Sequence, residues 1–272
     1  MADIINRPIT KNPYHNDGKW LSGAAFKGFA LHSVGVGQPD PLVFIKSWDN
    51  PGYTGAGING FIGADAVYIT ASCMDFPGTV KRMPSLGKRA GNDGYIGFEM
   101  TEPKDIKYIG VGDKFQVLNL VKAQEFCAKT YENAVDFFAK LCLFHGKNPM
   151  TPGVIISHNE AGKQGIGSTH TDPEHLWKGL KLPYTMDGFR IAVWNRMNNK
   201  EDEIDMTKQE LEKLIDERVK AILNGEGTKP SKWAEKEIEE AVALGITDGT
   251  NPKGYATRQE TAAMVLRAHK LG

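Results

Sequence analysis

The chain has 272 residues, 40% of them hydrophobic and 24% charged, which describes a soluble globular protein with one ordinary domain and something small besides. Lysine plus arginine and aspartate plus glutamate both number 33, so the net charge is +0. That balance gives no global electrostatic reason to expect nucleic acid or an anionic membrane as partner, and no apolar run approaches the roughly 20 residues of a membrane span.

Residues Met1 to Pro8 lack a basic segment followed by an apolar core. No secretory signal is expected there, and the protein is expected to be made in the cytoplasm. Cys73, Cys127 and Cys142 are odd in number and show no CxxC spacing. They read as buried small hydrophobes in a protein made in a reducing compartment.

In chain order, residues 1–25 are rich in Pro, Asn, Gly and Lys and read as irregular surface wrapping. Gly28 to Ser33 is a short apolar run, expected to be a buried strand that delivers His32 near its end. Residues 36–57 read as loop from their prolines and glycines. Strands are expected over Ile58–Ile62 and Ala66–Ala71, with Gly63-Ala64-Asp65 as a hairpin turn, then loop over 77–94 and a strand over Tyr95–Met100. Between 115 and 145, Leu118, Val121, Cys127, Ala134, Phe138, Leu141 and Cys142 recur at helical spacing, and Gly146 suits the C-cap. A strand over Val154–Ser157 delivers His158, and helices are expected over Glu174–Leu180 and Asp187–Asn198. The implied fold class is α/β, a mixed central sheet covered by helices, with His32, Glu99 and His158 at strand ends.

Composition shifts near residue 200. We divide the chain into a main domain over 1–200, a linker helix and linker over 201–231, and a small all-helical unit over 232–272. Thr207 to Glu210 has capping-box form and starts a helix expected to reach Leu223. Trp233–Leu244 and Arg258–Lys270 are the two helices of the last unit. About 40 residues cannot bury a large core alone, so this unit must pack on the linker helix, on the main domain, or on a copy of itself in a homodimer.

The chemistry concentrates in the stretch from Ile155 to Trp177, which holds three of the seven histidines. Imidazole and carboxylate are ordinary zinc ligands, and a catalytic zinc needs three of them plus one open position. His32, His158, His170, Asp172, His175 and Glu99 are the candidates; spacing does not choose among His170, Asp172 and His175. Asp172-Pro173 also reads as a helix N-cap followed by proline at the first helical position. Glu99 lies between apolar neighbours, where a buried carboxylate is costly without a partner. His15, His145 and His269 fall in a wrapping segment, at a helix end and at the chain end, and are set aside.

Ala30-Leu31-His32-Ser33 resembles the first zinc-ligand motif of type-2 N-acetylmuramoyl-L-alanine amidases, the family that includes phage lysozyme-type amidases and peptidoglycan recognition proteins. Asn92 to Met100 is similar to the family segment that ends in a catalytic Glu, here Glu99. Ser157-His158-Asn159-Glu160 and Thr171-Asp172-Pro173 resemble the second and third ligand motifs, and His170 falls where several members place a catalytic Lys. The run from His158 through Trp177 looks most like clostridial endolysins and autolysins. The resemblance covers about residues 20–198. It implies a zinc ion held by His32, His158 and Asp172, with Glu99 moving the proton from water to the departing amine and protonated His170 stabilising the oxyanion, and it leaves His175 as a bystander on the following helix. Where some members carry an aromatic–His pair, this chain has Ile58 and Asn59, which puts more of the proton transfer on Glu99.

Residues Trp233 to Arg267 resemble an S-layer-homology motif, present once, which implies cell-wall binding through a secondary wall polymer. Locally, Thr257-Arg258-Gln259-Glu260 is also simply a capping box. The implied function is hydrolysis of the bond between N-acetylmuramic acid and L-alanine in peptidoglycan, by an enzyme that reaches the wall after release from the cytoplasm. The competing readings are a non-catalytic peptidoglycan receptor and a zinc amidase of soluble muropeptides.

Overall fold

Strand β3 (Gly28–Ser33) is buried at every residue and lies between two parallel neighbours, β7 (Tyr95–Met100) and β10 (Ile155–Ser157). The computed structural model describes residues 2–110, 112–198, 229–250 and 252–271. The chain divides into two compact units, residues 1–200 and 201–272. In the first, β1 (Asp3–Asn6), β4 (Gly60–Ile62) and β5 (Ala66–Ile69) complete a six-stranded sheet in the order β1-β5-β4-β7-β3-β10. Only the β4–β5 hairpin within this sheet is antiparallel. The architecture is therefore a mixed, mostly parallel sheet flanked by helices, as the alternating pattern implied.

Side chains alternate across a strand, so the sheet has two distinct faces. Phe29, Leu31, Ile96, Phe98 and Ile155 belong to the large core, together with Phe137, Phe138, Trp177, Phe189 and Val193 from the covering helices. Those helices are α3 (Leu120–His145), α5 (Glu174–Gly179) and α6 (Met186–Asn198). Helix α3 begins at Asn119, whose side chain accepts from the Lys122 N–H. It ends at Gly146, whose φ of 63° suits a glycine C-cap. The opposite face carries Ala30, His32, Glu99 and Phe61, and helix α1 (Pro41–Trp48) lies against it through Phe44 stacked on Phe61. Gly28 opens β3 because a Cβ there would collide with the Val154 carbonyl.

Several expectations are corrected. The first 25 residues are not all irregular: β1 pairs with β5, and β2 (Trp20–Ser22) pairs with β6 (Thr79–Lys81). Residues 36–57 are not all loop, because Asp40 caps α1 and Pro41 sits in its first turn, where proline loses no hydrogen bond. The loop expected over 77–94 contains β6 and the short helix α2 (Arg89–Asn92). Leu118 precedes α3, and both it and Val121 are exposed, since the buried stripe of α3 starts at Ala123. An unexpected hairpin joins β8 (Ile106–Tyr108) to β9 (Phe115–Val117).

In the second unit, α7 (Glu235–Ala243) and α8 (Arg258–His269) are the described helices, and none of the unit's described residues is buried. Thr257 and Glu260 form the expected capping box. The helix expected from Thr207 to Leu223, and the linker up to Thr228, lie outside the described residues.

Phe98 is 0% exposed and meets Phe137 and Phe138 edge-on at 5.0 and 5.7 Å. Phe98→Ala should cost about 3–5 kcal/mol of stability in urea unfolding of the full chain. A loss below about 1 kcal/mol would mean that this layer is not the core.

Candidate metal centre

Strand register assembles the centre. His32 in β3 lies directly opposite Glu99 in β7, and Leu31 lies opposite Ser157, so His158 is delivered beside His32. His158 is not on the strand but is the first residue of α4 (His158–Lys163). The segment that follows β10 thus begins as a helical turn. Its start is fixed by a capping box: the Ser157 hydroxyl accepts from the Glu160 N–H, and the Glu160 carboxylate accepts from the Ser157 N–H.

The same end of α4 holds the next loop. The Asn159 N–H donates to the Asp172 carbonyl at 3.2 Å, and the Ser157 hydroxyl and Asn159 amide both donate to Glu174. Asp172 does not cap α5. Pro173 occupies that position, and the Asp172 side chain turns inward, accepting from the Ser33 N–H at 3.3 Å.

His32, His158 and Asp172 are 1%, 4% and 7% exposed. Their donor atoms face one another: 3.1 Å between the two Nδ1 atoms, 3.3 Å from His32 Nδ1 to Asp172 Oδ2, and 3.6 Å from His158 Nδ1 to Asp172 Oδ1. Ligands about 2.0–2.1 Å from a tetrahedral zinc are separated by about 3.3–3.4 Å, so the cluster has the dimensions of one face of such a site. The donor set, two imidazoles and one carboxylate, is also one that zinc accepts. His158 Nε2 meets the Ser168 hydroxyl at 2.8 Å, the outward contact expected of an imidazole that ligates through Nδ1.

Burial and the neighbouring charge of His32 push His158 down to about 3, so its ring is neutral and its lone pair available. Burial opposes a charged His32, but the bond to Asp172 and the charges of Glu99 and Asp172 prevail and raise its pKa. Burial likewise opposes an ionised Asp172, yet its bond to His32 and the surrounding imidazoles hold it low. Glu99 is pushed up to about 8, chiefly by burial, and its Oε2 is buried without a hydrogen-bond partner among the described residues. Glu102, fully buried, is pushed up to about 7 for the same reason.

The cluster opens into a cleft of about 610 Å³ whose walls include Glu99, His158, His170, Asp172 and His175. His170 has a side chain 59% exposed, with Nδ1 3.8 Å from Asp172 Oδ1 and its ring 4.3 Å from that of His158. His175, expected to be a bystander on the helix, instead lines the cleft, and its Nε2 lies 2.6 Å from the Tyr108 hydroxyl. Sequence reading missed Trp48, Tyr53, Tyr108 and Asp113, which also line it. Tyr53 stacks on Trp48 at 4.9 Å, and burial together with the Glu99 charge raises its phenol. The one usable signal was an aromatic pair inside a proline- and glycine-rich stretch. Ile58 and Asn59 are fully buried, Asn59 donating to the Lys81 carbonyl. His145 bridges the Gly78 N–H and the Cys73 carbonyl, a structural role.

No protein-family model and no curated protein matches the chain. Among solved structures, the fold matches Staphylococcus aureus hydrolase AmiA, determined in complex with its ligand, at TM-score 0.50 and 16% identity, over 72% of this chain and 84% of that one. A mutant endolysin from Bacillus subtilis matches at TM-score 0.47 and 16% identity, over 71% of this chain and 99% of that one. The N-acetylmuramoyl-L-alanine amidase LysC from Clostridium intestinale matches at TM-score 0.30 and 11% identity, over 67% and 99%. The fold likeness rests on the first of these.

Asp172→Ala and His158→Ala should each abolish stoichiometric zinc, measured by elemental analysis after dialysis against zinc-buffered solution. One-to-one zinc in either variant would remove that residue from the donor set.

Proposed function

We propose that the protein is a zinc-dependent N-acetylmuramoyl-L-alanine amidase that cleaves the amide between N-acetylmuramic acid and L-alanine in bacterial peptidoglycan. The observation that carries this reading is the cluster of three buried donors at tetrahedral spacing, with Glu99 aligned beside it at the cleft. The AmiA fold, which belongs to a hydrolase, supports it.

His32, His158 and Asp172 would hold the ion, and zinc bound there supplies Lewis acidity that polarises a carbonyl and acidifies water. Glu99 is the acid/base group. Burial raises it toward neutral pH, where a carboxyl can both take a proton from water and return one to the departing amine. His170 stands at the exposed side of the cluster and, when protonated, offers an N–H to the oxyanion of the tetrahedral intermediate. The open cleft admits a polymer-borne substrate rather than enclosing a small one.

We assign residues 1–200 to catalysis, 201–231 to a linker, and 232–272 to binding a secondary wall polymer through the S-layer-homology-like motif. The protein would be made in the cytoplasm and act on the wall after release, as an endolysin does. Three donors together with Glu99 weigh against a non-catalytic receptor, and the appended unit favours intact wall over soluble muropeptides.

Mass spectrometry of digested peptidoglycan tests the chemistry: new L-alanine N-termini are expected, and new reducing sugars instead would reject an amidase. Glu99→Gln should retain zinc while losing at least about 100-fold in release of those termini, the scale of a general acid/base contribution. Undiminished turnover would refute the role of Glu99. A fluorescent fusion of residues 200–272 that fails to decorate sensitive cell walls would count against the wall-binding assignment.

A further inference from the structure

The proposed chemistry leaves one polar chain beside the cleft unused, anchored on the fully buried Glu102. The Tyr108 hydroxyl, at the end of β8, donates to Glu102 Oε2 at 2.8 Å, and Glu102 Oε1 accepts from the Gly35 N–H at 3.0 Å. Tyr108 has a single O–H proton, and it is committed to Glu102. The 2.6 Å contact with His175 therefore needs the proton on His175 Nε2, which donates to the phenol oxygen. Gly35, Glu102, Tyr108 and His175 thus form one directed chain from the loop after β3 to the first turn of α5.

Tyr108 lines the cleft on one side and meets apolar packing on the other. Ile106, Leu176, Leu180 and Cys127 form a buried cluster with Tyr108 and Phe115 packed against it. Three apolar side chains of similar volume would fill this space without the desolvation cost of a fully buried carboxylate. The polar chain must supply something that packing alone does not, and its endpoint shows what. The His175 N–H donates to the Thr171 carbonyl at 3.0 Å, closing a turn whose second residue is Asp172. Fixing the His175 ring fixes that turn. A second tie acts on the same segment, the Thr171 hydroxyl donating to Asp113 at 3.1 Å from the hairpin between β8 and β9.

We propose that Tyr108 and His175, anchored by Glu102, are positioning residues that hold the Asp172 carboxylate in place for a zinc ion. The hairpin formed by β8 and β9 is the brace, and the His175–Tyr108 bond is its point of attachment. The inference rests on the reading of His32, His158 and Asp172 as zinc donors. Outer contacts of this kind typically change metal affinity by about 10–100-fold.

Zinc dissociation constants of the full-length protein, measured by competition with a chromophoric chelator, test it. Tyr108→Phe keeps the ring and its packing but removes the hydroxyl, and should weaken zinc binding about 10–100-fold. His175→Ala should do the same. His175→Gln places an amide N–H where Nε2–H stood and should restore affinity close to that of the wild type. Melting temperatures of the zinc-free proteins separate this from packing: a merely structural role would lower them and leave the dissociation constant unchanged. Wild-type affinity in both Tyr108→Phe and His175→Ala overturns the inference while the zinc site stands, and so does a His175→Gln as weak as His175→Ala. A wild-type protein that binds no zinc overturns the proposed function first, and this inference with it.

Discussion

Parallel pairing of β3 with β7 and β10 is the constraint from which the donor cluster follows. His32 lies opposite Glu99, and Leu31 lies opposite Ser157, so two imidazoles and a carboxyl converge on one side of the sheet. Because side chains alternate, a slip of one residue in β3 would turn His32 into the core and bring Leu31 to the cleft. The large core on the other face forbids that slip: Phe29, Leu31, Ile96 and Phe98 can be buried under α3 and α6 in one register only. Packing on one face thus sets chemistry on the other.

The parts of this arrangement legible in the sequence were those whose signal is local. An apolar run ending in His32, the strand carrying Glu99, and the long amphipathic helix each announce themselves within a few residues, and the structure places them over Gly28–Ser33, Tyr95–Met100 and Leu120–His145. Asp172 was legible twice over, as helix cap and as ligand candidate; Pro173 takes the cap position, and the Asp172 side chain turns inward to the Ser33 N–H. What stayed hidden was non-local or masked by proline. Asp40-Pro41 starts a helix inside a stretch whose other prolines and glycines signal loop. The three-residue strands β8 and β9 are too short to show periodicity, so Tyr108 and its bond to His175 could not be foreseen. His175 looked idle because its partner lies 67 residues away.

Electrostatically, the site gathers acids whose nearest cationic partner is the His32 imidazole. Glu99, Glu102 and Asp172 lie close enough to repel one another, and no lysine or arginine lines the cleft among the described residues. A cavity so arranged holds its carboxyls together only at a cost, which protonation or a bound cation relieves. The packing of the first unit sustains that cost through the aromatic core of β3, β7 and α3, where Phe29, Phe98, Phe137 and Phe138 meet edge-on.

His32 and His158 are 126 residues apart in the chain, and Ser33 and the Asp172 carboxylate that it contacts are 139 apart. No contiguous fragment shorter than this span can contain the cluster. A ribosome making the protein completes β3 and β7 long before the segment with the last donor emerges. The donor cluster is therefore among the late contacts to form, since contacts of long sequence separation require the loops between them to close first. A cation held by His32, His158 and Asp172 would therefore bind only after β3 and β10 have paired and the Asp172 segment has closed over them.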